Sequence, residues 1–432
     1  MQWTNNGSAS SGLAARARHV FAGGNTRALV WMDPHPPYIA RGEGAYVYDV
    51  DGTEYLDLAN NLGVLIHGHA QRDIVAAVQA QAALGSCFAL PTESELELAE
   101  LLCERVPSFE RVRFVNTGSE AVQLALRAAR AFTGRTKIAK LEGVYHGSSD
   151  LAEISSYVSP ENWGNEPHPV ATLTGTPEGF KDAVVIIPAN DVETTMRILN
   201  EEADQLAAVL LDPVPPRCGM LPLDPDYVAS IRAFTRETGS LLIYDEVIAF
   251  RLGMAGAQGR YGGDPDITAL GKIIGGGYPV GAVAGRAEPM EVVASEIGSS
   301  GTFTANPVTM VAGLASMRAL PSERFDALDA LGDRIRTGLS EVIAKRGASG
   351  SWQVTGVGSL LTVHPHARPM HDYRTYYRNS EESARMAALY GGLLERGVLS
   401  SGSGTCFLST ALSREDETRF FDAFDATLGT LT

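Results

Sequence analysis

The chain has 432 residues, of which 44% are hydrophobic and 20% charged, as in a folded protein with one large core and a smaller second unit. Its formal net charge is −16 and it has no lysine or arginine run, so we expect small molecules or a second copy as partners, and no nucleic acid. No apolar stretch reaches the ~18 residues of a membrane span, and the N-terminus lacks the apolar core of a secretory signal, so we expect a cytoplasmic protein without a membrane partner.

The N-terminal part of the chain predicts antiparallel strands. Residues 38–58 alternate in polarity and contain the turn pair Asp51-Gly52, a pattern typical of a β-meander. We assign residues 1–57 to a smaller α+β domain, to which residues 311–432 also belong, and residues 58–310 to a large domain.

The central part of the chain predicts an α/β domain with a mainly parallel sheet. Short apolar runs separated by amphipathic stretches are typical of buried parallel strands that alternate with helices. The predicted helices cover 120–133, 192–203 and 226–238. The runs are 111–116, 137–141, 183–187, 207–211, 241–245, 266–270 and 281–285.

The C-terminal part predicts longer helices after about residue 310 and strands within 352–365. A helix near 380–396 and a last helix from 413 complete it. The four cysteines contain no C-x-x-C pair, which predicts reduced thiols, with no disulfide framework and no metal site; they are Cys87, Cys103, Cys218 and Cys406.

An anion site is predicted where the first of the central apolar runs, 111–116, meets a helix. Thr117 and Glu120 have the spacing of a capping box, and Gly118 allows a ligand to approach the backbone closely. The free N–H groups and positive dipole at residues 118–121 suit a phosphate. An ordinary capped helix without a ligand is the alternative.

Two further strand ends carry groups that suit a flat, cationic ligand. Tyr145 follows the strand at 137–141 and is placed either to stack on such a ligand or to lie on a surface loop. His146, the next residue, is either part of the same site or a local hydrogen-bond partner. Asp245 ends the strand at 241–245, where ligands of open α/β sheets bind, and either meets a cationic ligand atom or caps the next segment.

Lys272 is one of only five lysines in the chain. It follows the apolar run at 266–270 and stands among glycines and isoleucines, where desolvation lowers the pKa of an amine, as a Schiff-base lysine requires. A surface lysine on a flexible loop is the alternative. Together, the phosphate site, the aromatic ring, the acid and the lysine match the needs of pyridoxal phosphate.

The sequence resembles the class III aminotransferases of fold type I over nearly its whole length. The resemblance rests on "FVNTGSEA", "EGVYHG", "YDEV", "PDITALGKIIGGGYPVGAVAGR" and "GTFTANPVTMVAG". The glutamate-1-semialdehyde 2,1-aminomutases and the β-amino-acid transaminases are the branches that it resembles most. This resemblance implies an α/β fold with a large domain and a smaller domain built from both chain ends.

The resemblance also implies the roles of the site residues. Lys272 forms the Schiff base with the cofactor and moves the proton, while Asp245 pairs with the pyridinium nitrogen. The phosphate is held by Gly118 and Ser119. One face of the ring is covered by Tyr145 and the other by Val247.

Two further residues carry roles that the resemblance implies. Thr302 matches the threonine that reaches the phosphate of the partner subunit, so that a homodimer would share its active sites. Arg41 matches the arginine that binds the substrate carboxylate, and a guanidinium suits a carboxylate. A solvated arginine on an N-terminal strand is the alternative for Arg41.

Three departures from these relatives leave the substrate open. In "LDPVPPRCGM" the usual amide near the cofactor oxygen is absent, and Arg217 is either a second anion anchor or a side chain that points away. Ser403 stands where the β-phenylalanine transaminases carry a second carboxylate-binding arginine. The glycine-rich lid of the aminomutase is not recognisable after "YHG".

The expected activity is therefore a PLP-dependent transamination between a carboxylate-bearing amino donor and a keto acid acceptor by a ping-pong mechanism. A β-amino acid is one candidate donor. The alternative is a PLP-dependent isomerase, either an aminomutase or an amino-acid racemase, which would use the same residues.

Overall fold

A computed structural model of the chain describes residues 4–27, 31–298 and 301–431. Its strands are β1 (Ile39–Glu43), β2 (Tyr46–Asp49), β3 (Glu54–Asp57), β4 (Arg111–Val115), β5 (Lys137–Leu141), β6 (Val184–Ile187), β7 (Leu206–Leu211), β8 (Leu241–Asp245), β9 (Ile267–Gly271), β10 (Gly281–Gly285), β11 (Gln353–Val357), β12 (Leu360–His364), β13 (Val398–Leu399) and β14 (Thr405–Phe407). Its α-helices are α1 (Ala9–Val20), α2 (Asn60–Gly63), α3 (Arg72–Leu84), α4 (Glu93–Arg105), α5 (Gly118–Thr133), α6 (Asp150–Glu153), α7 (Val192–Glu201), α8 (Pro225–Thr238), α9 (Gly256–Tyr261), α10 (Ala287–Ser295), α11 (Pro307–Arg318), α12 (Ser322–Lys345), α13 (Tyr373–Tyr376), α14 (Ser380–Glu395) and α15 (Arg414–Leu428).

The chain divides into two compact units. The first contains the described residues up to Arg72 together with 327–367 and 378–431. Its first sheet has the order β1-β2-β3-β13, with antiparallel pairs except between β3 and β13, which run parallel. Its second sheet is the antiparallel β11-β12-β14.

The second unit contains residues 73–326 and 368–377 and is built on a seven-stranded sheet with the order β4-β10-β9-β8-β7-β5-β6. Strands β5 to β9 run parallel to one another, whereas β10 is antiparallel to both β9 and β4. The mainly parallel α/β sheet predicted from the sequence is therefore confirmed, with one reversed strand.

The central strands are buried because helices cover the sheet and leave little room for polar side chains. All residues of β7, β8, β9 and β10 are buried. Helix α5 packs its alanine-rich face on the sheet core, and small side chains there allow close contact between helix and strands.

The parallel direction of β5, β7, β8 and β9 brings the residues that follow them to one edge of the sheet. His146 comes after β5, Asp212 after β7, Asp245 ends β8 and Lys272 comes after β9. None of the four cysteines forms a disulfide. In the part of the chain that the structure describes, no helix is both long and apolar enough to cross a bilayer.

Candidate active site

Helix α5 begins at the predicted anion site. Thr117 is its N-cap and accepts a hydrogen bond from the Glu120 backbone N–H at 3.0 Å. The Glu120 carboxylate accepts from the Asn116 N–H at 2.6 Å, one residue before the position of a regular capping box. The cap leaves the first-turn N–H groups of α5 at the sheet edge, where an anion binds well.

Gly118 is where three segments approach one another closely. A Cβ atom at Gly118 would lie 2.9 Å from both methyl carbons of Val247. A Cβ at Gly271 would lie 3.3 Å from a Val247 methyl and 3.5 Å from the Gly118 Cα. The start of α5, Val247 in the segment after β8, and the turn that carries Lys272 are therefore in contact with one another.

Lys272 occupies the first position of a 3₁₀ turn that runs to Gly275. Its φ of 50° lies in the left-handed region, which costs a non-glycine residue about 1 kcal/mol or more and is typical of functional sites. The turn is held by α11, since a Cβ at Gly276 would lie 2.4 Å from the Ala312 carbonyl oxygen. Packing thus fixes the lysine in a strained backbone conformation.

The amine of Lys272 is desolvated beside two acids. Burial lowers the pKa of Lys272, while the charges of Asp245 and Asp212 act in the opposite direction. A lysine with a lowered pKa has a larger neutral fraction, and the neutral amine is the nucleophile that Schiff-base formation needs.

Asp245 and His146 form a buried pair at the ends of β8 and β5. Nδ1 of His146 lies 2.8 Å from Oδ2 of Asp245, and the Val247 N–H donates to Oδ1 at 3.0 Å. Burial lowers the pKa of His146 despite the neighbouring carboxylate. In the described structure, the buried Nε2 of His146 has no hydrogen-bond partner.

Asp212, the acid of the segment "LDPVPPRCGM", is a second carboxylate at this edge. Leu211 pairs with Tyr244, so Asp212 follows its strand next to Asp245. The Val214 N–H donates to its Oδ1 at 2.9 Å. Burial and the charge of Asp245 raise the pKa of Asp212 well above its usual range.

Glu246 faces away from this group of residues although it directly follows Asp245. Its carboxylate accepts hydrogen bonds from the backbone N–H groups of Ala257 and Gln258 at 2.6 and 3.0 Å. Burial raises the pKa of Glu246 to about 7. Asp245 and Glu246 are adjacent in sequence but have different environments. Glu246 caps the first turn of α9.

Tyr145 lies on the loop between β5 and α6, and its side chain is exposed. The loop contacts the start of α5, since the Ser148 N–H donates to the Ser119 hydroxyl at 3.2 Å. Burial of its hydroxyl end raises the pKa of Tyr145, and the nearby Ser119 hydroxyl acts in the opposite direction. Tyr145 and Ser119 therefore lie close to one another.

Lys140 is a buried lysine that the sequence analysis missed. Its Nζ donates to the carbonyl oxygens of Ala152 and Ile154 at 2.6 and 2.9 Å and to the Ser156 hydroxyl at 2.9 Å. Burial and the charge of Arg217 lower the pKa of Lys140 to about 7. The available signal was a lysine at the fourth position of the run "KIAKL", inside a strand otherwise expected to be apolar.

Thr302 and Arg41 each have a partner within their own unit. Thr302 is exposed, and its carbonyl oxygen accepts a weak hydrogen bond from the Cys87 thiol at 3.6 Å. Arg41 belongs to the first unit, where its Nη1 lies 3.2 Å from the Glu43 carboxylate and its guanidinium stacks 3.5 Å from the ring centroid of Tyr48.

Ser403 also belongs to the first unit, where it contacts Arg378. Nη1 of Arg378 donates to the Ser403 carbonyl oxygen at 2.9 Å. The hydroxyl of Ser403 is within 3.1 Å of the Thr405 hydroxyl. This arginine was not predictable from the local sequence, because 25 residues separate it from Ser403.

The second unit thus combines features that fit a phosphate-bearing aldehyde. Gly118 leaves a helix start free of side chains, and a desolvated lysine stands at the end of the neighbouring strand. Asp245 accepts hydrogen bonds on both oxygens and lies close enough to Lys272 to act on its charge. Such a set of residues suits pyridoxal phosphate.

Comparison with known proteins decides the family. The family model for Aminotransferase class-III matches residues 30–426. This chain belongs to the class III aminotransferases. It adopts their α/β fold of type I, it is an enzyme of the PLP-dependent class III family, and its cofactor is pyridoxal phosphate.

Three relatives of this class III aminotransferase align with it over nearly the full length of both proteins. It is 47% identical to an ω-transaminase from Sphaerobacter thermophilus, with a TM-score of 0.95 and coverage of 99% of this chain and 98% of that one. It is 31% identical to a β-phenylalanine aminotransferase from Variovorax paradoxus, with a TM-score of 0.88 and coverage of 98% and 94%. It is 38% identical over 423 residues to glutamate-1-semialdehyde 2,1-aminomutase 2 of Brevibacillus brevis, with 96% of each chain covered.

Proposed function

We propose that this enzyme is an aminotransferase that moves an amino group from a carboxylate-bearing amino compound to a keto acid by a ping-pong mechanism. A β-amino acid is a candidate donor. The observation that carries the proposal is the 47% identity, over 99% of the chain, to an ω-transaminase. The β-phenylalanine aminotransferase at 31% identity supports a donor of the β-amino-acid class.

The desolvated amine of Lys272 supports a role for this residue in covalent attachment and proton transfer. Pyridoxal phosphate supplies an aldehyde that condenses with primary amines and a ring that withdraws electrons. Lys272 would remove the proton from the carbon that bears the substrate amine and return it at the cofactor carbon. Its lowered pKa suits this role, because a general base must be neutral near the working pH.

The other proposed roles are those that the resemblance implies. Asp245, oriented by His146, pairs with the ring nitrogen, and Gly118 and Ser119 hold the phosphate at the start of α5. Tyr145 and Val247 cover the two faces of the ring. Arg41 binds the substrate carboxylate; its pair with Glu43 is exposed and therefore weak, so a substrate can displace it.

A homodimer that shares its active sites is the proposed assembly, with Thr302 reaching the phosphate of the partner subunit. Large apolar side chains are exposed on the two segments that meet at Thr302, including Leu84, Phe88, Leu90 and Phe303. A second copy would cover them. Sedimentation of a Phe303→Asp variant tests this proposal: a monomer with weakened cofactor affinity is expected, and an unchanged dimer with full cofactor affinity would contradict it.

A PLP-dependent isomerase is the second candidate, because curated relatives at 38% identity are glutamate-1-semialdehyde 2,1-aminomutases. The purified holoenzyme is incubated with α-, β- and ω-amino acids without an acceptor, and its absorbance and products are followed. A transaminase releases keto product in an amount equal to the enzyme and then stops. Catalytic turnover with retained amine would instead favour the isomerase.

A further inference from the structure

Arg217 lies in the second unit, on the segment where this chain departs from its relatives, and neighbouring groups hold its guanidinium in place. Nη1 donates to the carbonyl oxygens of Gly143, at 3.3 Å, and Ser156. The guanidinium carbon lies 4.3 Å from the ring centroid of Tyr157. The guanidinium is held by two hydrogen bonds from Nη1 and by stacking on Tyr157. It therefore loses little further conformational entropy when it binds a ligand.

No acid in the described ranges neutralises this cation. Among residues 4–27, 31–298 and 301–431, no carboxylate lies within 4.0 Å of Arg217, and its Nε and Nη2 donate to no described group. Neither atom is among the buried polar atoms that lack a partner, so both reach solvent.

Arg217 lies beside the loop that carries Tyr145. Gly143, which Arg217 contacts, stands two residues before Tyr145, and the same loop touches Ser119 at the start of α5. Tyr145 and Tyr157 are 46% and 42% exposed. The charges of Tyr157 and Arg217 both act on the pKa of Tyr145, Tyr157 raising it and Arg217 lowering it.

We propose that Arg217, flanked by Tyr145 and Tyr157, is a second binding site for a substrate carboxylate, distinct from the one proposed for Arg41. Its two free donors face solvent in the fork geometry that carboxylates accept, and each tyrosine offers a hydroxyl donor and an aromatic edge. Glu153 is the acid whose charge also reaches Tyr145, but it forms no ion pair with Arg217. The identity of the carboxylate as that of a substrate rests on the proposed aminotransferase function.

Calorimetry with unreactive carboxylates tests this site. Glutarate and 3-phenylpropanoate contain neither an amine nor a keto group, so their binding to holoenzyme is measured without turnover. Arg217→Gln should weaken the binding of at least one probe by about 10-fold or more, with the cofactor absorbance and cofactor affinity unchanged. Arg197→Gln, which changes an exposed arginine paired with Glu166, should leave both affinities within about twofold.

Two results would overturn the proposal. If both probes bind Arg217→Gln within twofold of wild type, Arg217 only fixes the loop backbone. If the loss of probe binding is accompanied by an equal loss of cofactor affinity or a displaced absorbance band, Arg217 contacts the cofactor oxygen instead. Arg217→Lys keeps a donor for the Gly143 and Ser156 carbonyls, so it repeats the test if the glutamine variant does not fold.

These outcomes are independent of the aminotransferase proposal. Failure of amine exchange with every donor would remove the proposed function but leave a carboxylate site measured by calorimetry. Failure of the probes to depend on Arg217 would leave the exchange reaction untouched.

Discussion

Nδ1 of His146 lies 2.8 Å from the Asp245 carboxylate, and both side chains are buried although 99 residues separate them. Because burial lowers the pKa of His146, the ring is expected to be neutral near pH 7. A neutral ring that donates from Nδ1 orients the carboxylate without cancelling its charge. The pair therefore acts as one unit, with His146 as a positioning residue.

Removing the charge or the orienting donor of this pair should slow the reaction. We expect Asp245→Asn to lower kcat by about 10- to 100-fold, the value of a charge-assisted hydrogen bond. His146→Leu should lower kcat less and displace the pH–rate profile, and His146→Asn, which keeps a donor near the Nδ1 position, should restore most of the rate. A wild-type profile for His146→Leu would contradict the positioning role.

The contact between Gly118 and Val247 predicts coupling between the two positions. Gly118→Ala places a methyl group 2.9 Å from both Val247 methyls, and such overpacking costs about 1–3 kcal/mol. Val247→Ala removes both clashing atoms, so the double variant should be more stable than the sum of the single effects by about 1 kcal/mol. Thermal unfolding of the cofactor-free proteins measures this difference, and strictly additive effects would refute the contact.

Lys140 predicts a particular pH dependence of stability. Its folded pKa of about 7 lies below its unfolded value, so the unfolded chain binds more protons between pH 7 and about 10. Stability from this group therefore rises with pH across that window. The thermal midpoint of wild type minus that of Lys140→Met should increase from pH 7 to 10, and a constant or decreasing difference would contradict the burial of this amine.

Breaking the ion pair between Arg374 and Glu142 should lower the stability of the second unit strongly. Glu142 is buried, and the Arg374 Nε and Nη2 donate to its two oxygens at 2.7 and 2.9 Å. Arg374→Met leaves that carboxylate unpaired, which costs about 3–5 kcal/mol and should lower the thermal midpoint by roughly 5–10 °C. Arg197→Met, which breaks the exposed pair with Glu166, should lower it by roughly 2 °C at most; equal effects would refute the distinction.

The large sheet was predictable because its strands are buried on both faces and appear as apolar runs separated by helices. The reversed direction of β10 was also available from the sequence. Only residues 272–280 separate Gly271 from Gly281, and a parallel crossover needs about a dozen residues or more. The helix start at Thr117 was predictable from local capping chemistry alone.

The remaining parts of the site depend on contacts that no local pattern encodes. The three oxygen acceptors of Lys140 lie 12 to 16 residues downstream in an irregular loop. The partner of His146 lies on another strand, and the different environments of Asp245 and Glu246 arise only when α9 packs against the end of β8. Tertiary packing determines which polar groups meet in these cases, whereas periodicity indicates only that they are buried.

The account depends most directly on Lys272 as the amine that holds the cofactor. Borohydride reduction of the holoenzyme fixes the cofactor to its lysine, and peptide mass spectrometry identifies it among the five lysines of the chain. We predict one label per chain, on Lys272, and no label in Lys272→Ala. A label on Lys140, the other lysine with a desolvated amine at this edge of the sheet, would contradict the account.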